Sequence, residues 1–361
     1  MSQNCINKYK SDFTAKFLEI MDKNAYKWKE IQKDKCRSLY SIKSILIYLC
    51  FSLIFCLPII IKPKQDSIFF ICLSVLCFIC LVITNIINTN KEYQNTVKSR
   101  FFPTLVKIFG KDVHYISKYT SYMKEALADN SVDEEDTSNI RTDLGQNLGK
   151  VVQYRICNNI IDDSMLYPHK ITKRKDEDRL YGKYNDTEFI INETDFGWEV
   201  EGRQQPKSYN RMFKGIVMYF KLNKTVKNTV IITSKNMFNK IPKGFEKVEV
   251  EYNKFTKKYN VYVENINTSD KNGQIEARYF LNTALLERFM QIQTSFKVSK
   301  MCCSIYNDTM LIMLSTRKDL FEMNHLFGKI DDVNQYKHLF NEFASVLSFI
   351  DVLNLSSKTK L

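Results

Sequence analysis

Glycine and proline are scarce in this 361-residue chain, at 10 and 6 residues. No phosphate-binding glycine loop can be read in it, so the motif-defined nucleotide-binding enzymes drop out. Four histidines, His114, His169, His325 and His338, are scattered and form no HExxH, and neither a GxSxG nor a kinase signature is present. Pairing any of them with Cys157 or Cys302 as a nucleophile has no support from spacing, and structural histidines and inert thiols are expected. No catalytic, cofactor-binding or metal-binding residue can be nominated, and no cofactor is implied. The formal charge of +13 is spread along the chain, +4 over residues 1–41, +2 over 42–90 and +7 over 91–361. No basic run interleaves with stacking aromatics, which leaves nucleic acid a second reading behind a membrane surface.

What the chain does have is two long apolar runs. Ser44–Ile61 and Ser67–Ile87 carry no charged side chain, and each approaches the roughly 20 residues a helix needs to cross hydrocarbon. The connector Lys62–Asp66 is too short to hold a domain, so a transmembrane helical hairpin is expected over 44–87, with both flanks on one side. Lys27, Lys29, Lys33, Lys35, Arg37 and Lys43 precede the first run, and Lys91, Lys98, Arg100 and Lys107 follow the second, against Lys62 and Lys64 in the connector. This bias predicts a multi-pass protein of the cell (plasma or inner) membrane with both termini cytoplasmic. No ionisable residue is embedded in either run, which argues against a transporter or pump. Five of the ten cysteines (Cys50, Cys56, Cys72, Cys77 and Cys80) fall in these runs and read as small apolar packing residues. The rest have no regular spacing and no signal-peptide pattern precedes Ser44, so a reducing compartment is expected.

Ahead of the hairpin, Phe13, Phe17, Ile20, Met21, Trp28 and Ile31 recur at helical spacing, predicting an amphipathic helix over 1–43. After it, Val97, Phe101, Leu105, Ile108 and Phe109 make a comparable stripe, interrupted by Pro103 and Gly110. The two stripes are expected to pack as a stalk, with residues 88–147 forming its second helix and a polar linker. Ala128–Asn147 holds the acidic run Asp133–Asp136, and Glu134 and Glu135 lack the spacing of a calcium loop.

From about residue 148 short runs of β-branched and aromatic residues alternate with polar breaks: Glu188–Ile191, Phe213–Leu222, Thr229–Thr233, Lys247–Tyr252, Asn260–Val263, Phe296–Ile305 and Thr309–Leu314. They predict antiparallel strands, with a hairpin turn at Asn307-Asp308. Leu281–Ile292 and Tyr336–Leu353 return to helical period, the first capped by Asn282 and facing inward with Leu285, Leu286, Phe289 and Ile292. Lys170–Arg179, of mixed sign, reads as a solvated loop, and Glu276 with Arg278 as one face of a strand. Cys302 and Cys303, adjacent in a strand, would point to opposite faces and cannot easily clasp one metal. The predicted class is α+β: an N-terminal amphipathic helix, a two-helix transmembrane hairpin, then a cytoplasmic domain over 148–361 with an antiparallel sheet and flanking helices.

A succession of short motifs adds to this reading. Ser164-Met165-Leu166-Tyr167 precedes Asp178–Tyr184 (DRLYGKY) and Thr187-Glu188-Phe189; then come Phe213-Lys214-Gly215-Ile216, Tyr259–Val263, Glu276–Phe289 (EARYFLNTALLERF) and Phe349–Leu355 (FIDVLNL). In this order they resemble the bacterial membrane-protein family catalogued as domain-of-unknown-function family 3137, over roughly residues 90–355. The resemblance implies a cytoplasmic-facing domain on a double-span anchor and supplies no catalytic residues. The expected function is a non-enzymatic scaffold or interaction module whose partners are the lipid bilayer and a membrane protein or a second copy. The alternatives are an enzyme acting on a lipid or nucleotide substrate, or a binder of anionic lipid or nucleic acid.

Overall fold

A computed structural model describes residues 2–54, 67–116, 156–200, 208–235, 237, 243–265, 272–317, 326–328 and 333–358. The polar run 128–147, the connector 62–66 and His325 lie outside them. The chain divides into two compact units, one made of Ala15–Phe102 and Glu322–Tyr336, the other of Met1–Thr14, Pro103–Phe321 and Lys337–Leu361.

Helices α1 (Ser2–Leu39), α2 (Ile42–Ile54) and α3 (Ser67–Leu105) supply the first unit. Phe17 and Trp28 of α1 and Tyr93 and Val97 of α3 are all buried, as stripes on paired helices require. An ion pair joins Lys35 to Glu92 at 2.7 Å. Residues 326–328 clip the pair: the Gln32 side chain donates to the carbonyls of Leu326 and Gly328, while the Leu326 amide donates to Asn90 Oδ1 at 2.7 Å. Among the described residues one helix, running from Ile71 toward Ile108, is long and apolar enough to cross a membrane. Of the other expected span, α2 is described only as far as Ile54; Cys56 and Pro58 lie outside the described residues.

The second unit is an α+β domain on a seven-stranded antiparallel sheet. Its strands are β1 (Val113–Ile116), β2 (Lys173–Tyr184), β3 (Thr187–Val200), β4 (Ser208–Ser234), β5 (Phe245–Val248), β6 (Tyr259–Glu264) and β7 (Lys300–Ser315). Their order is β1-β2-β3-β4-β6-β5, with β7 also paired to β4. The spine is β4, 27 residues long. Its first half pairs β3, its last residues pair β6, and β7 accompanies it from Gly215 to Thr233.

Here sequence and structure part company at several places, beginning with the long strands. The runs 213–222 and 229–233 belong to one strand, whose polar middle is a wide irregularity: nine residue steps from Lys221 to Val230 face four on β7, from Thr309 to Ile305. The Glu276 carboxylate accepts from the Lys227 amide in that bulge at 3.4 Å. Asn307, with φ of 49°, is not a hairpin turn; it lies inside a continuous β7, paired with Val226 of the irregular stretch. Glu276 and Arg278 lie on helix α6 (Asn272–Phe280), not on a strand.

Side chains alternate across this sheet into two cores. One face gathers Tyr181, Ile190, Phe196, Phe213, Val217, Ile231, Tyr262 and Leu311 beneath the segment 156–171 and its short helix α4 (Asn158–Asp163). The other face carries Phe220, whose ring lies 5.3 Å from Phe349 of the C-terminal helix α8 (Val333–Lys358). Phe109 also packs on this helix, its ring 4.8 Å from Phe343. Cys302 joins the first core and Cys303 sits opposite Ile232 on the other face.

Helix α7 (Thr283–Ser295) buries Leu285, Leu286, Phe289 and Ile292, and the Asn282 side chain accepts from the Leu285 amide at 2.9 Å. Asn282→Ala should cost about 1 kcal/mol, because it orphans that amide at the helix start. A urea midpoint unchanged from the parent would show that the cap contributes nothing.

Candidate functional site

Two polar constellations stand out in the α+β domain. The first lies inside the sheet. The tract expected to be a solvated loop is largely strand β2, and its charges are buried. Arg174 Nε donates to Asp176 Oδ1 at 2.7 Å and its Nη1 donates to the Ile156 carbonyl at 2.6 Å. Asn192 Nδ2 donates to the same Asp176 oxygen at 2.8 Å, and Arg179 Nη2 lies 3.8 Å from Asp176 Oδ2. Between Asp176 and Arg179 the β2–β3 register shifts, which turns Asp176, Asp178 and Arg179 all inward. Burial pulls the Arg179 guanidinium down to about 9, still charged at neutral pH. Tyr115 on β1 is held protonated by burial first and by the neighbouring Asp178 carboxylate second. The side chains of Arg174, Asp176 and Arg179 are at most 5 % exposed, so no substrate reaches them as they stand. They tie β2 and β3 together and read as architecture.

The second constellation is open to solvent. Ends of β4, β6 and β7 meet the turn after α7 around a cleft of about 760 Å³, within the range of small-ligand sites. A ring cluster adjoins its lining residue Gln293. Phe255, from the one-turn helix α5 (Asn253–Thr256), stacks on Tyr259 at 4.7 Å, and Phe289 meets Tyr259 edge-on at 5.4 Å. The Tyr259 hydroxyl donates to Gln293 Oε1, and Gln293 Nε2 donates to the Ser299 carbonyl at 3.2 Å, which fixes the turn. Ser234 bridges both backbone groups of Met301, accepting from its amide at 2.9 Å and donating to its carbonyl at 3.0 Å. Lys235, Lys257, Lys258, Lys297 and Lys300 line the opening, and among the described residues no carboxylate does. None of these lysines forms an ion pair among the described residues.

Among the described residues, the histidines and thiols contribute to neither. His114 stacks on Tyr181 at 5.3 Å and His169 on Trp198 at 4.2 Å. Burial lowers the readiness of His114 to take a proton and pushes the Cys302 and Cys303 thiols up, away from the reactive thiolate. Among the described residues no three His, Cys, Asp or Glu side chains converge as a metal site needs. Sequence reasoning named no site residue and missed both constellations. The cleft could not have been found by motif, since its lysines come from three separate stretches.

Comparison with known proteins adds a family match over part of the chain. No curated protein matches the chain. Among solved structures, the crystal structure of the mycobacterial trehalose monomycolate transport factor A, TtfA, is 8 % identical and covers 50 % of this chain and 72 % of that one. Its TM-score of 0.28 is too low to argue a shared fold. The family match takes in most of β4, with β5, β6, β7 and all but the last residues of α8. It is narrower than the motif succession, since the stretches at 164–167 and 178–189 lie ahead of it. Over residues 211–355 the chain matches the family described as "Protein of unknown function (DUF3137)".

Proposed function

We propose that the chain is anchored in a membrane by a helical hairpin over residues 44–87, and that it works there as a non-enzymatic interaction module presenting its α+β domain at the cytoplasmic face. The observation that carries this reading is apolar surface left bare. Leu46, Ile47, Leu53 and Ile54 on α2, and Val75, Leu76, Ile79 and Ile83 on α3, are all exposed. Only 6 % of the most apolar stretch of α3 is buried. Water-soluble monomers rarely leave apolar patches beyond a few hundred Å² uncovered, whereas hydrocarbon would cover this one. The lysines and arginines flanking the hairpin favour the cytoplasmic orientation.

Alkaline carbonate extraction of native membranes tests the anchor: the chain should stay in the pellet, and release into the supernatant would remove the hairpin from consideration. A cysteine introduced at Gln65 should react with an impermeant maleimide in intact cells while Cys157 is protected. The reverse pattern would invert the topology. The interaction role is tested by purification from native membranes in mild detergent. A membrane protein or second copy retained in constant ratio supports it; a lone monomer after crosslinking overturns it.

A further inference from the structure

We propose that the lysine-lined cleft is a binding site for a ligand carrying clustered phosphate groups. The inference stands apart from the membrane anchor and concerns the α+β domain alone.

Its basis is a row of like charges written into the strand register. Ser234 pairs with Tyr259 across β4 and β6, and the Lys235 amide donates to the Lys258 carbonyl at 2.9 Å. Lys235 therefore stands opposite Lys258. On the other edge Thr233 pairs with Cys302, and the Ser234 side chain holds both backbone groups of Met301. Continuing that register sets Lys235 opposite Lys300. Three ammonium-bearing side chains thus sit side by side on neighbouring strand ends, about 4.8 Å apart from strand to strand. Like charges placed directly opposite destabilise a sheet, and among the described residues no carboxylate in the cleft offsets them.

Lys257 and Lys297 approach from the turns on either side. Lys297 follows α7 with φ of 51°, a left-handed position where glycine or asparagine is the usual choice. The C-terminal end of α7 attracts a cation and so accounts for Lys297. It does not account for the row Lys258–Lys235–Lys300, which stands at the ends of three strands. A bound polyanion would neutralise all five charges at once, each ammonium offering up to three donors to phosphate oxygens. The hydrogen bonds of Gln293 and Ser234 tie together the strand ends and the turn that line the cleft.

The test is isothermal titration of the full chain in detergent micelles with sodium tripolyphosphate. Binding should weaken steeply between about 50 and about 300 mM salt as screening grows. It should weaken at least about tenfold in the triple variant Lys235→Gln, Lys258→Gln, Lys300→Gln. A control carrying the same charge change elsewhere on the domain, Lys111→Gln, Lys214→Gln, Lys221→Gln, should bind like the parent. Should the first triple variant fail to fold, Lys257→Gln with Lys297→Asn alters only turn positions and should give a smaller loss. Micelles doped with phosphatidylglycerol separate the sources. Displacement of tripolyphosphate by them makes the natural ligand a lipid headgroup, and its absence makes it a free phosphorylated compound. No binding in the parent, or equal loss in the cleft variant and the control, overturns the site.

Discussion

Replacing Asp176 by Asn should lower the stability of the α+β domain by about 3–5 kcal/mol, the range for removing one partner from a buried ion pair. The change keeps side-chain shape and deletes one charge. Asp176 is the carboxylate that Arg174 meets at 2.7 Å, that Asn192 meets at 2.8 Å, and that Arg179 faces at 3.8 Å. Both guanidiniums are already stripped of water, so they cannot recover by hydration what they lose in attraction. A double-mutant cycle isolates the effect. Arg174→Met alone should be costly, because it also abandons the Ile156 carbonyl and Asn158 Oδ1. In the Asp176→Asn background its added cost should shrink by at least about 1 kcal/mol. Urea unfolding of the full chain in micelles measures each corner of the cycle. Additive losses, or a single-variant loss below about 1 kcal/mol, would mean that the cluster is solvated in practice and holds nothing together.

That cluster also shows where sequence reading fails. Lys170–Arg179 has the composition of a solvated loop, and nothing in a one-dimensional pattern signals that a bulge will turn Asp176, Asp178 and Arg179 inward together. Helix α7 is the opposite case. Its capping residue and all four inward positions were legible, because a local period of 3.6 and a local cap decide them without help from elsewhere. The strands fall between. From β3 onward their existence is visible in alternation, yet β4 and β7 each read as two runs, since the mostly polar stretch 223–228 and Asn307-Asp308 look like ends. Only tertiary pairing makes a strand continue through a bulge. The lysine row is illegible for the same reason: Lys235, Lys258 and Lys300 become neighbours through register, which sequence spacing does not contain.

The motif Phe213-Lys214-Gly215-Ile216 has a physical reason in the close approach of strands around Gly215. Gly215 lies where β4 is flanked on both sides, by Thr194 of β3 and Ser315 of β7. Its φ is +152°, and a Cβ there would fall 2.0 Å from the Leu314 carbonyl oxygen and 2.9 Å from the Thr316 amide nitrogen. Both are backbone atoms of the β7 edge, which cannot swing aside as a side chain could. Gly215→Ala should therefore cost about 2–4 kcal/mol, combining a strained backbone with forced separation of the two strands. Gly244 supplies the contrast: its φ is +83° but nothing lies within 4 Å of the added carbon. Gly244→Ala carries the conformational penalty alone, about 1 kcal/mol. Thermal unfolding of the two variants, with amide exchange at Thr316 as a local probe, separates close approach from backbone preference. Equal losses in both, with Thr316 still protected in Gly215→Ala, would mean that β7 yields easily and that this glycine serves only its own dihedral angle. A larger loss with early exchange at Thr316, whose amide donates to the Lys214 carbonyl at 3.2 Å, would tie the glycine to the pairing on which the whole sheet turns.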